Sequence, residues 1–187
     1  MRTTVNSLGE DHILTCWVGI EIQILMKKGK NKPPVTPAIR MLRDSQVTYT
    51  DHPYHYEPGG GTALFARVTN INEHLVIKTL IMEDEAAQPL IILMHGDQKV
   101  STKELARQIG RKSVMACDPI TAERHSGYKI GGTSPFGTRK KIPVFCEEEI
   151  LKLPQIFING GARGYIIGMD PRDLAKLLKP IPVRVAR

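Results

Sequence analysis

Two apolar runs, residues 74–82 (HLVIKTLIM) and 89–95 (PLIILMH), stand next to each other with only the polar link 83–88 (EDEAAQ) between them. Each is too short for an ordinary helix and rich in aliphatic residues, so each reads as a buried strand. The short link makes the pair a hairpin inside a central sheet. The chain has 187 residues, 41% of them hydrophobic and 24% charged, which suffices for one domain with a real core.

The rest of the chain mixes helix and strand signals. Thr36-Pro37 has the form of an N-cap followed by proline at the first helical position. It opens a helix to about Ser45, with Ala38, Ile39, Met41 and Leu42 on the apolar face. Residues 47–52 are β-rich, and Glu57-Pro58-Gly59-Gly60-Gly61 is a loop, after which Thr62 is expected to cap a short helix through Val68. Ser101-Thr102-Lys103-Glu104 has the capping-box form, opening a helix to Ile109 that Gly110 stops. Asp118-Pro119 starts another helix, ended by Gly127, and Asp170-Pro171 starts the last, with Leu174, Leu177 and Leu178 facing the core. Residues 147–151 read as a short helix, and residues 155–159 and 165–169 as strands around the turn 160–164. With no internal repeat and no strict βαβ rhythm, the expected fold is α+β, a mixed central β-sheet flanked by helices, over residues 35–187.

Residues 1–34 are read as an extension and linker. Residues 13–26 (ILTCWVGIEIQILM) are apolar, but too short to span a membrane and interrupted by Glu21. Glu10 and Asp11 precede them where a signal peptide carries positive charge. From Met26 the chain reads MKKGKNK, which resembles a cytosolic start. The expectation is that residues 1–25 are upstream sequence or an element outside the common fold, which N-terminal sequencing of the native protein decides. No membrane partner is expected, and the expected location is cytoplasmic.

The net charge of +7 permits a nucleic-acid partner, because lysine and arginine release counterions from phosphate, but does not demand one. Cys16, Cys117 and Cys146 are odd in number and lack close spacing, which argues against a disulfide framework and a CxxC zinc site. A reducing compartment follows. His52 and His55 lack further ligands, so neither metal nor cofactor is expected.

Lys78 is the sharpest candidate for a site. In an alternating strand it shares a face with Val76 and Leu80, where a charged head is costly unless an anion meets it. It also fits an edge-strand lysine with a solvated head. The glycine-rich stretch 127–137 (GYKIGGTSPFG) can let a ligand approach the backbone, whose N–H groups suit a phosphate or an oxyanion. It matches neither the Walker nor the Rossmann pattern, and it also fits a plain turn. The basic triplet Arg139-Lys140-Lys141 suits an RNA backbone or a solvated loop. Asn159-Gly160-Gly161-Ala162-Arg163-Gly164 reads as a hairpin turn in which Arg163 is positioned for phosphate. Cys117 or Cys146 with His125 as base remains open as a hydrolase pair, although buried inert cysteine is the commoner state. Ser134 sits in no nucleophile elbow.

Taken in order, these pieces resemble the YbaK family of aminoacyl-tRNA deacylases, related to the editing domain inserted in bacterial prolyl-tRNA synthetases. The pieces are Thr36-Pro37-Ala38-Ile39, His52-Pro53-Tyr54, Ile77-Lys78-Thr79-Leu80, Gly127-Tyr128 with 131–137 (GGTSPFG), Gly160-Gly161 with Arg163-Gly164, and Asp170-Pro171-Arg172-Asp173-Leu174. They span residues 35–180. The resemblance implies a cleft that receives the aminoacylated terminal adenosine. Lys78 matches the family's essential lysine, fixing the phosphate or sugar end, and Gly131 and Gly132 match the glycines whose backbone holds the scissile ester. Tyr54 matches a cleft-lining tyrosine, and Thr79, Thr133, Ser134, Asn159, Gly160 and Arg163 complete the implied substrate-binding set. The implied substrate is Cys-tRNA(Pro), cleaved by the cysteine's own thiol, with prolyl-tRNA synthetase as a possible partner. Alanyl-tRNA cleaved by water and a non-catalytic tRNA- or synthetase-binding module are the alternatives. Asn159 departs from the small serine expected there, and Ile166 from the polar residue many relatives carry.

Overall fold

The structure, a computed structural model, describes residues 33–187. The chain divides into the units Met1–Lys32 and Pro33–Arg187, so the apolar run 13–26, Cys16 and the question of the start lie outside the described residues.

In chain order the elements are α1 (Pro37–Asp44), β1 (Tyr49–Pro53), α2 (Gly61–Thr69), β2 (Val76–Asp84), β3 (Pro89–His95), α3 (Thr102–Gln108), β4 (Val114–Ala116), α4 (Pro119–Ser126), β5 (Val144–Glu147), β6 (Ile156–Ala162), β7 (Tyr165–Met169), α5 (Pro171–Leu178) and β8 (Ile181–Val183). Single 3₁₀ turns, Glu73–Leu75 and Glu148–Lys152, precede β2 and follow β5. The sheet runs β1-β7-β6-β2-β3-β5-β8, with β4 also paired to β2. β2 is antiparallel to β3 and β4 but parallel to β6, so the sheet is mixed.

The strand alternation sorts the core. Ile77, Ile81, Ile91 and Leu93 join Ile39, Leu42, Ala122 and Leu174, so α1, α4 and α5 cover one face. Residues of the opposite parity, Met82, Leu90, Ile92 and Met94, meet Leu105 and Ala106 of α3, while Val76 meets Phe65 of α2. Fully burying aliphatic side chains of this size stabilises the fold by about 1.5–3 kcal/mol each.

Three helix starts form as their sequences dictate. Thr36, Asp118 and Asp170 each accept a hydrogen bond from the first turn they cap, and each precedes a proline. Ser101 Oγ accepts from Glu104 N at 3.4 Å, but the capping box is only half made. The Glu104 carboxylate pairs with Arg107 at 2.6 Å, and the Ser101 N–H goes to Val185 O at 2.7 Å. The cap expected from Thr62 is not formed. α2 begins at Gly61 with no side-chain cap, and Thr62 Oγ1 donates instead to Glu73 Oε1 at 2.7 Å. The segment read as a helix at 147–151 is the 3₁₀ turn Glu148–Lys152, and the strand read at 155–159 continues to Ala162 through a register shift between Asn159 and Ala162. That shift shortens the turn to Arg163-Gly164.

Candidate active site

The site originates in how β2 is paired. β3 occupies one edge of β2 from Ile77 to Glu83. The other edge is shared: β6 pairs only with Val76 and Ile77, and β4 only with Met82–Asp84. Between them the edge from Lys78 to Ile81 has no partner strand among the described residues, and Cys117 N donates to Ile81 O at 3.1 Å where β4 leaves. The gap opens into a cavity of about 430 Å³. Its wall draws on both covering layers, Tyr54, Tyr56 and Thr62 from one side and Ala122, Ile130 and Gly131 from the other. Lys78 and Thr79 point to opposite faces of the strand yet line the same cavity for this reason.

Lys78 is half-buried, and its Nζ donates to Gly96 O at 3.0 Å and, closely, to Gln98 O. Burial lowers its pKa, against the opposing pull of Glu73 and Asp97. The 96–98 loop thus supplies acceptors that keep a desolvated cation in place beside the cavity. Thr79 lines the same wall, and its buried Oγ1 has no hydrogen-bond partner among the described residues. An orphaned buried hydroxyl costs about 1–3 kcal/mol, which a ligand group can relieve.

Opposite β2 lies the glycine loop. Gly131 has φ +85°, and a Cβ there would meet the Tyr56 hydroxyl at 2.7 Å, so only glycine fits. Asn159 Nδ2 donates to Gly131 O at 3.1 Å, while its Oδ1 accepts from Gly161 N and Ala162 N. Asn159 therefore clasps the β6 bulge to the loop, a task beyond the reach of a shorter serine. Arg163 Nε donates to Ile130 O at 2.8 Å, and its guanidinium lies 5.4 Å above the Tyr56 ring. Tyr54 packs edge-on against Phe65 at 5.3 Å, and burial raises the pKa of its hydroxyl, with Tyr56 adding to the effect. The phenol stays neutral and able to donate at neutral pH.

Six of the ten expected site residues thus come together around one cavity, Tyr54, Lys78, Thr79, Gly131, Thr133 and Asn159, as does Ile166. Four stand outside it. Ser134 is fully buried, with its Oγ accepting from Phe136 N at 3.4 Å. Gly132 presses on the Ala162–Arg163 backbone, where a Cβ would come within 2.9 Å, and its N–H goes to Lys129 O at 2.8 Å. Gly160 leaves room for the Tyr165 ring, and exposed Arg163 braces the loop from behind. These four shape the loop rather than line the cavity. Tyr56 and Cys117 line it and were not foreseen as cavity residues. Pro-Tyr-His-Tyr (53–56) places two aromatics after an edge strand, a signal that could have drawn attention to Tyr56.

The structure brings Cys117 and His125 close together but does not set them up as a nucleophile and base. Burial, with Glu83 and Asp118 adding, pushes the Cys117 thiol up to about 11. His125 Nε2 pairs with Glu83 at 2.6 Å and its Nδ1 meets Lys140 Nζ at 3.1 Å. The lysine is the donor to Nδ1, which leaves the Nε2 proton for Glu83. Cys117, Glu83 and His125 do have ligand atoms within 4.8 Å of one another, but both imidazole nitrogens are already engaged. Cys146 is buried in the core away from the cavity, its thiol pushed up to about 12.

The fold that carries this cavity is shared with known proteins. Residues 57–177 match the family described as the aminoacyl-tRNA editing domain. The chain belongs to this family. It is an enzyme acting on aminoacyl-tRNA. It is 28% identical over 143 residues to EbsC of Enterococcus faecalis, named as a Cys-tRNA(Pro)/Cys-tRNA(Cys) deacylase, covering 76% of this chain and 87% of that one. Over 91 residues it is 24% identical to the proline–tRNA ligase of Brachyspira hyodysenteriae, covering 49% of this chain and 16% of the ligase. A crystal structure described as a trans-editing enzyme for prolyl-tRNA synthetase superposes with TM-score 0.70 at 17% identity, covering 82% of this chain and 99% of that one, and shares the fold. Among the described residues no helix is long and apolar enough to cross a membrane.

Proposed function

We propose that this editing enzyme removes cysteine from mischarged Cys-tRNA(Pro), with the cavity at the β2 split receiving the esterified terminal adenosine. The observation that carries this reading is the pairing of a fixed cation, Lys78, with the Gly131 loop across a cavity whose own thiol is held protonated. Such a wall offers position and charge but no activated nucleophile. A cysteinyl ester brings its own. Its thiol loses a proton and attacks the ester carbonyl, giving a tetrahedral oxyanion. The bond to the ribose 3′ oxygen then breaks, that oxygen takes up a proton, and cysteine leaves as a four-membered cyclic thioester that water later opens. Holding thiol and carbonyl together supplies much of the barrier reduction, and a donor aimed at the oxyanion supplies about 3–4 kcal/mol more. We assign that role to Gly131, which lines the cavity, because the Gly132 N–H is already engaged.

The name of EbsC supports the cysteinyl substrate. The apolar stretch of wall formed by Ile130, Ile166 and Met82 favours a second reading, alanyl-tRNA cleaved by water. The domain responsible is taken as residues 35–187, and prolyl-tRNA synthetase is the proposed partner in selecting the tRNA. A deacylation panel of cysteinyl-, alanyl- and prolyl-tRNA decides. Rapid release of cysteine alone is expected, and preferential release of alanine would sink the thiol-assisted route.

A further inference from the structure

The outer side of the glycine loop carries a second feature. A surface groove of about 350 Å³ is lined by Ile120, Glu123 and Arg124 of α4 and by Gly127, Tyr128, Lys129 and Arg139 of the loop. Ala122 of the same helix and Ile130, Gly131 and Thr133 of the same loop line the cavity. Groove and cavity are therefore two sides of one structural wall. The loop is closed at its base, where Arg139 N donates to Ser126 O at 2.9 Å and the Arg139 side chain lies against Gly127.

The charges in this groove are free. Arg124, Lys129 and Arg139 are exposed, and among the described residues none of them makes an ion pair. Glu123 is the only acid in the lining, and its Oε1 accepts from Ile130 N at 3.3 Å. Ile120 adds an apolar ledge that is 80% exposed. A second basic groove, lined by Lys103, Arg107, Arg111 and Lys112 beside β4, differs in that both of its guanidinium groups are paired. There Arg107 is paired with Glu104 at 2.6 Å and Arg111 with the buried Asp84 at 3.1 Å. Paired guanidinium groups have little left to offer a phosphate, whereas free ones gain by displacing its counterions.

We propose that the groove of Arg124, Lys129 and Arg139 seats backbone phosphates of the RNA strand that leads to the esterified 3′ end. The strand is gripped on the outside of the loop, and its terminal nucleotide turns into the cavity on the inside. The proposal rests on the deacylase reading of the cavity and adds to it the element that recognises RNA. It also separates two tasks: the groove sets how tightly tRNA binds, and the cavity sets how fast the ester breaks.

The test neutralises the groove with Arg124→Gln, Lys129→Gln and Arg139→Gln together. KM for charged tRNA is expected to rise about tenfold or more with kcat little changed, and the slope of log KM against log salt to flatten by about 2. Turnover of a minimal substrate, the cysteinyl ester of adenosine, is expected to stay as in the parent enzyme. Lys103→Gln, Arg107→Gln and Lys112→Gln together on the other groove form the charge-matched control and are expected to leave KM unchanged. If the triple variant does not fold, Lys129→Glu alone reads the same effect, because that side chain is exposed and makes no hydrogen bond among the described residues. An unchanged KM and salt slope, or an equal loss from the control, overturns the proposal. So does loss of synthetase binding with tRNA affinity intact, which would make the groove a protein interface. If the parent enzyme cleaves neither substrate, the deacylase reading fails, while anisotropy with uncharged tRNA still tests the groove. Weakened binding on neutralisation supports it, and unchanged binding rejects it.

Discussion

Along its β3 edge, β2 is laddered from Ile77 to Glu83, and the neighbouring Ile91, Ile92, Leu93 and Met94 are fully buried. Along its other edge the ladder stops after Ile77 and resumes at Met82, and the stretch between presents a tethered lysine and an unpartnered threonine hydroxyl to a cavity. One strand thus carries a complete ladder on one side and opens onto a cavity on the other. The contrast teaches that a break in the ladder along one edge exposes Lys78 and Thr79 to the cavity, while the other edge stays laddered against buried neighbours.

Substitutions on the two edges sharpen this division. The largest effect is expected for Lys78→Ala, a loss of single-turnover deacylation of about 10²–10³-fold, with the urea midpoint unchanged or raised because a half-buried cation is removed. Retained turnover would break the assignment of chemistry to the open edge. The pH profile carries a related signature. Burial lowers the Lys78 pKa, so if the proposed role holds, the cation is lost as pH rises, and activity corrected for spontaneous hydrolysis should decline with a midpoint below that of a free lysine. The paired edge responds differently. Leu93→Ala leaves a cavity in a fully buried site and should cost about 2–5 kcal/mol in urea unfolding, with kcat retained where the variant stays folded.

Smaller effects test the orphaned groups. Thr79→Val removes an unpartnered hydroxyl, so stability should stay level or rise by about 1 kcal/mol while kcat/KM falls about tenfold. If both stay unchanged, the hydroxyl meets no substrate. Cys117→Ser is expected to change turnover by less than about twofold, because a thiol pushed up to about 11 is not the nucleophile at neutral pH. A large loss there, measured on cysteinyl-tRNA, would restore the cysteine-hydrolase alternative.

Much of the fold was legible because its signals are local. The Thr36, Asp118 and Asp170 caps act on amides two or three residues ahead, and the 74–82 and 89–95 runs pair across a six-residue link. The short strands β4, β5 and β8 were not legible, since three or four residues carry no periodic signal and their partners lie far along the chain. Within the site, the cavity-lining role of Tyr56 and the placement of Gly132, Ser134, Gly160 and Arg163 outside the cavity were equally hidden. A glycine motif reads the same whether its residues meet a ligand or a neighbouring ring.

The amino-acid order by itself determined the hairpin, the helix starts and the presence of a lysine within an apolar strand. Only the tertiary structure decided that this lysine faces a gap. That gap depends on β4 and β6 reaching the same edge of β2 from segments some 30 and 80 residues away and stopping short of each other. Hydrogen bonding within a few residues is written into local side-chain chemistry, whereas the choice of which distant strand completes an edge is settled by packing of the whole core.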